Sequence, residues 1–148
     1  MQLTRAADYG VRAMIQLGSE DPGTRSSLSE LARAAEVSPA FLSKVLQRLV
    51  KAGFIASRRG KRGGFEMLDR GRDASLLEIL DALDGIPALN LCLLDGSCHR
   101  SPWCPTHPVW KEAQERMREV LSAASLAQLV AENRNGKETR RLEEMRKD

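Results

Sequence analysis

One stretch of the 148-residue chain concentrates its soft donors: Cys92-Leu-Leu-Asp-Gly-Ser-Cys98-His-Arg-Ser-Pro-Trp-Cys104-Pro-Thr-His107 holds all three cysteines and both histidines. The thiols are spaced C-x5-C-x5-C, with the His107 imidazole three residues after the last. Thiolate suits iron–sulfur clusters, zinc and copper(I), and imidazole suits zinc and iron. Gly96, Pro102 and Pro105 break regular structure between the donors, so the backbone can wrap a centre. This is a metal-site pattern that does not by itself name the metal. His99 is a further imidazole, but Arg100 beside it points to an exposed loop, and it ranks below His107. A lone cysteine is usually an inert core residue; three at equal spacing in a Gly/Pro-rich loop are poorly explained that way. The odd count argues against a disulfide framework and for metal binding or redox work.

The elements that must carry this loop are mostly helical. Thr4 caps a helix running to about Ser19, with Leu3, Ala7, Val11, Met14 and Ile15 at helical spacing. Glu20-Asp-Pro-Gly23 is a turn. Ser27 with Glu30 three residues on is a capping box opening a short helix. Ser38 and Pro39 then supply an N-cap and a first-turn proline for a third helix to Ala52, closed by Gly53. That helix turns Leu42, Val45, Leu46, Leu49 and Val50 to one side and Ala40, Ser43, Lys44, Gln47, Arg48 and Lys51 to the other. Two short helices and a helix with a polar, basic face form a helix-turn-helix, whose last member would lie in the major groove of DNA. Phe54 to Met67 follows as two short strands around a glycine-rich tip carrying Arg58, Arg59, Lys61 and Arg62, the pattern of a β-hairpin wing. Such cations suit phosphate contact or a minor groove; the bland alternative is a solvated loop.

Beyond a polar turn at Asp69 to Asp73, Ser75 caps a helix from Leu76 to Leu83, and the cysteine loop follows. A long helix then spans about Val109 to Ser122. Trp110, Ala113, Met117, Val120 and Ala124 alternate spacings of three and four, a seam suited to dimerisation or to packing on the same domain. A shorter helical piece, Leu126 to Glu132, comes next. Residues 133–148 have almost no apolar content and are expected to be disordered. The expected organisation is therefore a winged helix-turn-helix over 1–74, a metal loop with dimerisation helices over 75–132, and a tail.

Charge agrees with that division. Residues 1–74 carry 13 Lys+Arg against 8 Asp+Glu, whereas residues 75–148 carry 10 against 12, so the basic surplus sits in the DNA-reading half. The N-terminus lacks an apolar signal region and no apolar run approaches membrane-spanning length, so a cytoplasmic chain is expected. No P-loop, no GxGxxG opening a helix and no Ser/His/Asp arrangement is visible, so an enzyme is the least supported class.

Three pieces together resemble the Rrf-type winged-helix regulators of the IscR-like and NsrR-like iron–sulfur groups. They are the opening Met1-Gln-Leu-Thr…Asp8-Tyr-Gly-Val-Arg12-Ala13, the wing Arg59-Gly-Lys-Arg-Gly-Gly-Phe65 and the C-x5-C-x5-C loop. The resemblance covers roughly residues 1–132. It implies a homodimer on palindromic operator DNA, with an iron–sulfur cluster in each cysteine loop controlling affinity. It carries Cys92, Cys98 and Cys104 onto the cluster cysteines. His107 matches the histidine completing a 2Fe–2S site in IscR-like members, and Asp8 matches the aspartate that completes a 4Fe–4S site from the second subunit in NsrR-like members. Spacing favours the former, while Asp8-Tyr9 looks more like the latter. Ser38, Pro39, Ala40, Ser43, Lys44, Gln47 and Arg48 occupy the base-reading helix, and their identities depart from the IscR-like pattern.

Cys3His also suits structural zinc, although zinc sites usually pair their cysteines as C-x2–4-C, and a cluster tolerates wider gaps. A fourth ligand other than thiolate suits a sensor, because it can be protonated or displaced. Loss of the centre would then shift the loop, the dimer helix and the spacing of the two reading helices. Two rivals stand beside this expectation: a DNA-binding protein with structural zinc or a thiol switch, and a metal-handling or assembly protein that retains a helix-turn-helix shape.

Overall fold

The computed structural model describes residues 3–60, 63–85, 88–94, 96 and 98–145, with side chains as far as residue 136 and at Glu138. Helix α1 (Arg5–Gly18) runs through the middle and packs on α2 (Leu28–Ala34), α3 (Pro39–Lys51), α5 (Leu76–Asp84) and α7 (Leu126–Met145). Its central place follows from its sequence: Ala7, Gly10, Ala13, Met14 and Leu17 form a wide buried face at spacings of three and four. Small residues on that face let neighbours approach closely. A Cβ on Gly10 would lie 2.4 Å from Leu83 Cδ1 of α5 and 3.1 Å from Val45 Cγ1 of α3, so both helices pack directly on the α1 backbone.

The helix ends follow local chemistry. Thr4 accepts the Ala7 N–H at 3.2 Å. Ser27 and Glu30 close a reciprocal capping box, and Ser75 and Glu78 close a second one at the start of α5. In both, hydrogen bonds from the serine N–H and hydroxyl hold the glutamate carboxyl below its ordinary range. Ser38 accepts from the Phe41 N–H at the start of α3, with Pro39 in its first turn. Gly53, at φ 76, takes the left-handed conformation that ends α3, at little steric cost to glycine.

Strands β1 (Ile55–Arg58) and β2 (Gly64–Met67) pair antiparallel with Ile55 opposite Met67 and Arg58 opposite Gly64. A third strand-like contact, not foreseen from the sequence, buttresses them: Ser26 and Phe65 exchange backbone hydrogen bonds of 3.0 and 2.9 Å. The wing thus grows from a corner shared with the start of α2. The core beneath holds Leu31, Leu42, Leu46, Leu49, Phe54, Ile55 and Ile79, all fully buried.

Three boundaries differ from expectation. Asp69–Arg72 forms a short helix, α4, where a polar turn was expected; Gly71 lies so close to the Phe54 carbonyl that a Cβ would sit 2.2 Å from it, which holds this turn against the wing. Helix α6 (His107–Ala123) starts at His107, two residues earlier than its apolar seam, because Pro108 fits a first turn. Past Glu132, where disorder was expected, α7 continues to Met145. Lack of apolar content argued against a packed face there. Arg, Lys, Glu, Leu and Met nevertheless favour helix on propensity alone, and Arg134 donates to the Ser19 carbonyl at 2.6 Å. Among the described residues no helix is long and apolar enough to cross a membrane.

Candidate nucleic-acid interface and thiol loop

The face of α3 opposite its core stripe is open. Ser38, Pro39, Ala40, Lys44 and Gln47 are exposed and Ser43 is half-buried. Lys44, Gln47 and Lys51 have no ion pair or side-chain hydrogen bond among the described residues. Arg48 differs: its guanidinium turns to the end of α5, donating to the Leu83 carbonyl and lying 3.6 Å from Asp84 Oδ1. On the wing, Arg58 and Arg59 are exposed, and Gly63 donates to the Gly60 carbonyl at 2.8 Å across the tip. Lys61 and Arg62 lie outside the described residues.

One residue that the sequence did not single out joins this surface. Phe41 sits on the exposed side of α3 and meets Tyr9 of α1 edge to face, with ring centroids 5.9 Å apart. Arg12 lies over the Tyr9 ring at 5.5 Å while pairing with Asp8 at 2.9 Å. Phe41 falls just outside the stripe of Leu42, Val45 and Leu46; an aromatic off the apolar face was the available signal.

The thiol loop is a chain of turns. Cys92 lies in a 3-10 turn, Leu91–Leu93, whose Leu93 N–H bonds the Asn90 carbonyl at 3.0 Å. Ser101 donates to the Cys98 carbonyl from both N–H (3.1 Å) and hydroxyl (2.7 Å). The His107 N–H reaches the Cys104 carbonyl at 3.2 Å, linking the last thiol to the first turn of α6. Upstream, the Leu89 N–H donates 2.8 Å to Oε1 of the buried Gln114, which fastens the loop's entry to α6. All three cysteines are half-buried free thiols. The Thr106 hydroxyl, 3.2 Å from Cys104 Sγ, and the Thr106 N–H hold that thiol below its usual range. His107 Nδ1 is buried with no hydrogen-bond partner among the described residues, a cost that proteins rarely leave uncompensated.

Sequence and structure diverge on one point here. Among the described residues no three His, Cys, Asp or Glu side chains converge on one ion. Cys92, Cys98, Cys104 and His107 lie within one segment; Asp8 is on α1, paired with Arg12. The donor set still fits a thiolate-bound centre in its chemistry: free thiols, one of them biased toward thiolate, and an unpartnered imidazole nitrogen. Around the loop and along α6, Leu91, Leu94, Trp103, Val109, Trp110 and Val120 expose apolar surface, Val120 to 70%.

A helix-turn-helix with a hairpin wing, an open polar face on its third helix and a thiol loop leading into a long helix define a winged-helix DNA-binding transcription regulator. Residues 3–132 match the Rrf2 family, described as iron-dependent transcriptional regulators, and the chain belongs to that family. Solved structures agree in fold. CymR of B. subtilis, the global cysteine regulator, is 22% identical with a TM-score of 0.72, over 88% of this chain and 97% of its own. IscR of T. potens is 25% identical with a TM-score of 0.71, over 90% of this chain and 88% of its own. CymR of Staphylococcus aureus is 23% identical with a TM-score of 0.69, over 86% and 96%.

Proposed function

We propose that this regulator binds operator DNA as a homodimer and that an iron–sulfur cluster held by Cys92, Cys98, Cys104 and His107 controls its affinity. The observation that carries this is the buried, unpartnered Nδ1 of His107, three residues after the last of three free thiols, in a family described as iron-dependent. The ion pair between Asp8 and Arg12 favours His107, and with it a 2Fe–2S centre, over Asp8 and a 4Fe–4S centre. When bound, such a cluster supplies a redox- and ligand-sensitive group at the loop. The chain's own residues do the rest. Thr106 biases the Cys104 sulfur toward thiolate, Gln114 fixes the loop's entry, and α6 offers Trp110 and Val120 to a second copy. DNA is met by Ser38, Pro39, Ala40, Ser43, Lys44 and Gln47 at base edges and by Arg58, Arg59, Lys61 and Arg62 at phosphates.

The test is anaerobic purification followed by iron and acid-labile sulfide counts. About two of each per chain support the His107 centre, and about four of each support Asp8 as ligand. Zinc without sulfide would sink the cluster and leave the DNA-binding half standing. His107→Ala is expected to alter the absorption spectrum and lability of the centre more than Asp8→Ala; the reverse ranking would transfer the fourth-ligand role to Asp8. A second reading, a thiol switch without metal, is favoured by the lowered Cys104 thiol. It predicts a sulfur that alkylates readily in protein free of iron and zinc.

A further inference from the structure

Three distant parts of the chain meet at the last turn of α5. Arg48, late in α3, donates to the Leu83 carbonyl and lies 3.6 Å from Asp84 Oδ1. The hydroxyl of Thr4, the cap of α1, donates a hydrogen bond to Asp84 Oδ2. Under this polar layer Leu83 is buried against Gly10 and Val45. The end of α5 is therefore keyed into α1 and α3 by an apolar knob and held there by a polar clamp. Immediately afterwards Gly85 turns at φ 81, and four residues further on Leu89 is fastened to Gln114 of α6. A short segment thus spans two anchorages, one on the third helix of the helix-turn-helix and one on the long helix beside the thiol loop.

Carbonyls in the last turn of a helix lack intrahelical donors and sit at its negative end, so a guanidinium placed there is well matched. Lys44, Gln47 and Lys51 have no side-chain partner among the described residues, whereas Arg48 is committed to the protein. An ion pair as exposed as Arg48–Asp84 adds little to global stability. What it can fix is the register of α3 against α5, and an arginine holding both a carbonyl and a carboxylate is not replaceable by lysine.

We infer that Arg48 is a positioning residue and not a phosphate contact. With Asp84 it holds α3 to the exit of α5 and passes to α3 any displacement of the segment entering the thiol loop. The identity of the signal rests on the function proposed above; the clamp's effect on DNA binding does not.

The experiment uses the full chain and a duplex selected from a random-sequence library against the wild-type protein, titrated over a salt series. Arg48→Met and Asp84→Ala should each weaken binding by about three- to thirtyfold. The double variant should be no worse than the weaker single, the salt slope should stay at the wild-type value, and Arg48→Lys should fail to rescue. A phosphate contact would instead lower the slope by about one on Arg48→Met, leave Asp84→Ala neutral and let Arg48→Lys rescue; that pattern overturns the inference, as do additive losses. The same titration on iron- and sulfide-loaded and unloaded protein separates the two claims. A wild-type chain that loads no cluster defeats the proposed function, and the clamp is then judged on the mutant cycle. Where loading changes wild-type affinity, both variants should bring the loaded-to-unloaded ratio toward one at an unchanged melting temperature. A ratio that stays at the wild-type value overturns the relay.

Discussion

Replacing Cys98 by alanine is expected to bring bound iron and sulfide to background while leaving the fold in place. Cys98 is the middle of the three thiols, and its loss would leave a cluster only two protein sulfurs on its loop. The backbone at Cys98 does not depend on the sulfur, since its turn is held through its carbonyl by the Ser101 N–H and hydroxyl. The core packed around Leu46 and Phe54 lies on other elements. The melting temperature of unloaded protein should therefore move by no more than about 2–4 °C, the shift that roughly 1 kcal/mol produces in a chain of this size. Metal and sulfide analysis with a thermal melt of each variant decides it. Full iron retention would remove Cys98 from the ligand set, and a collapsed melt would make it structural.

The second large effect lies on the wing. Arg58→Glu with Arg59→Glu should weaken binding to DNA of any sequence by roughly 30-fold or more near physiological salt, and should reduce the salt slope by about two. Both side chains are exposed, and neither has an ion-pair partner among the described residues, so little native structure is lost with them. The estimate follows from counterion release: each phosphate contact contributes a slope of about 0.9. Fluorescence anisotropy on a selected and a scrambled duplex measures both quantities. An unchanged slope would make the wing tip a solvated loop; a loss confined to the selected duplex would make it a reader of sequence.

What was legible in the sequence was what short-range chemistry determines. The caps at Thr4, Ser27, Ser38 and Ser75, the proline at the start of α3 and the glycine after it act within one helical turn. Each formed where the spacing placed it. The wing was legible because alternating strands around a glycine-rich tip leave few other arrangements. What was not legible depends on residues far apart in the chain. Ser26 meets Phe65, Thr4 meets Asp84, and Arg48 meets Leu83 only once α1, α3 and α5 have packed. Arg48 sat on the polar side of α3 with Lys44 and Gln47, and nothing in its spacing distinguished the residue that reaches across the surface to the end of α5. The helix from Glu132 to Met145 was not legible because a lack of apolar side chains removes packing but not helix propensity. In the thiol loop the donor types were legible and the placement of their side chains was not, since turn sequences fix local hydrogen bonds without fixing where a sulfur points.

The corner where Ser26 pairs with Phe65 bears on how such a regulator can change over evolutionary time. The residue after Ser26 opens the capping box of α2, and the residue before Phe65 is Gly64, whose Cβ position lies 2.6 Å from the Ser26 carbonyl. Any side chain at 64 would collide with that backbone, so the corner tolerates little drift. On the tip, Gly63 is constrained in the same way, its Cβ position lying 2.4 Å from the Arg58 carbonyl, whereas Arg58 and Arg59 are exposed. On the function proposed above, changing the charge at Arg58 or Arg59 would tune how strongly the protein holds DNA in general and leave base choice to α3. Strength of grip and choice of target would then sit on separately variable side chains of one frame, and a lineage could adjust the first without relearning the second.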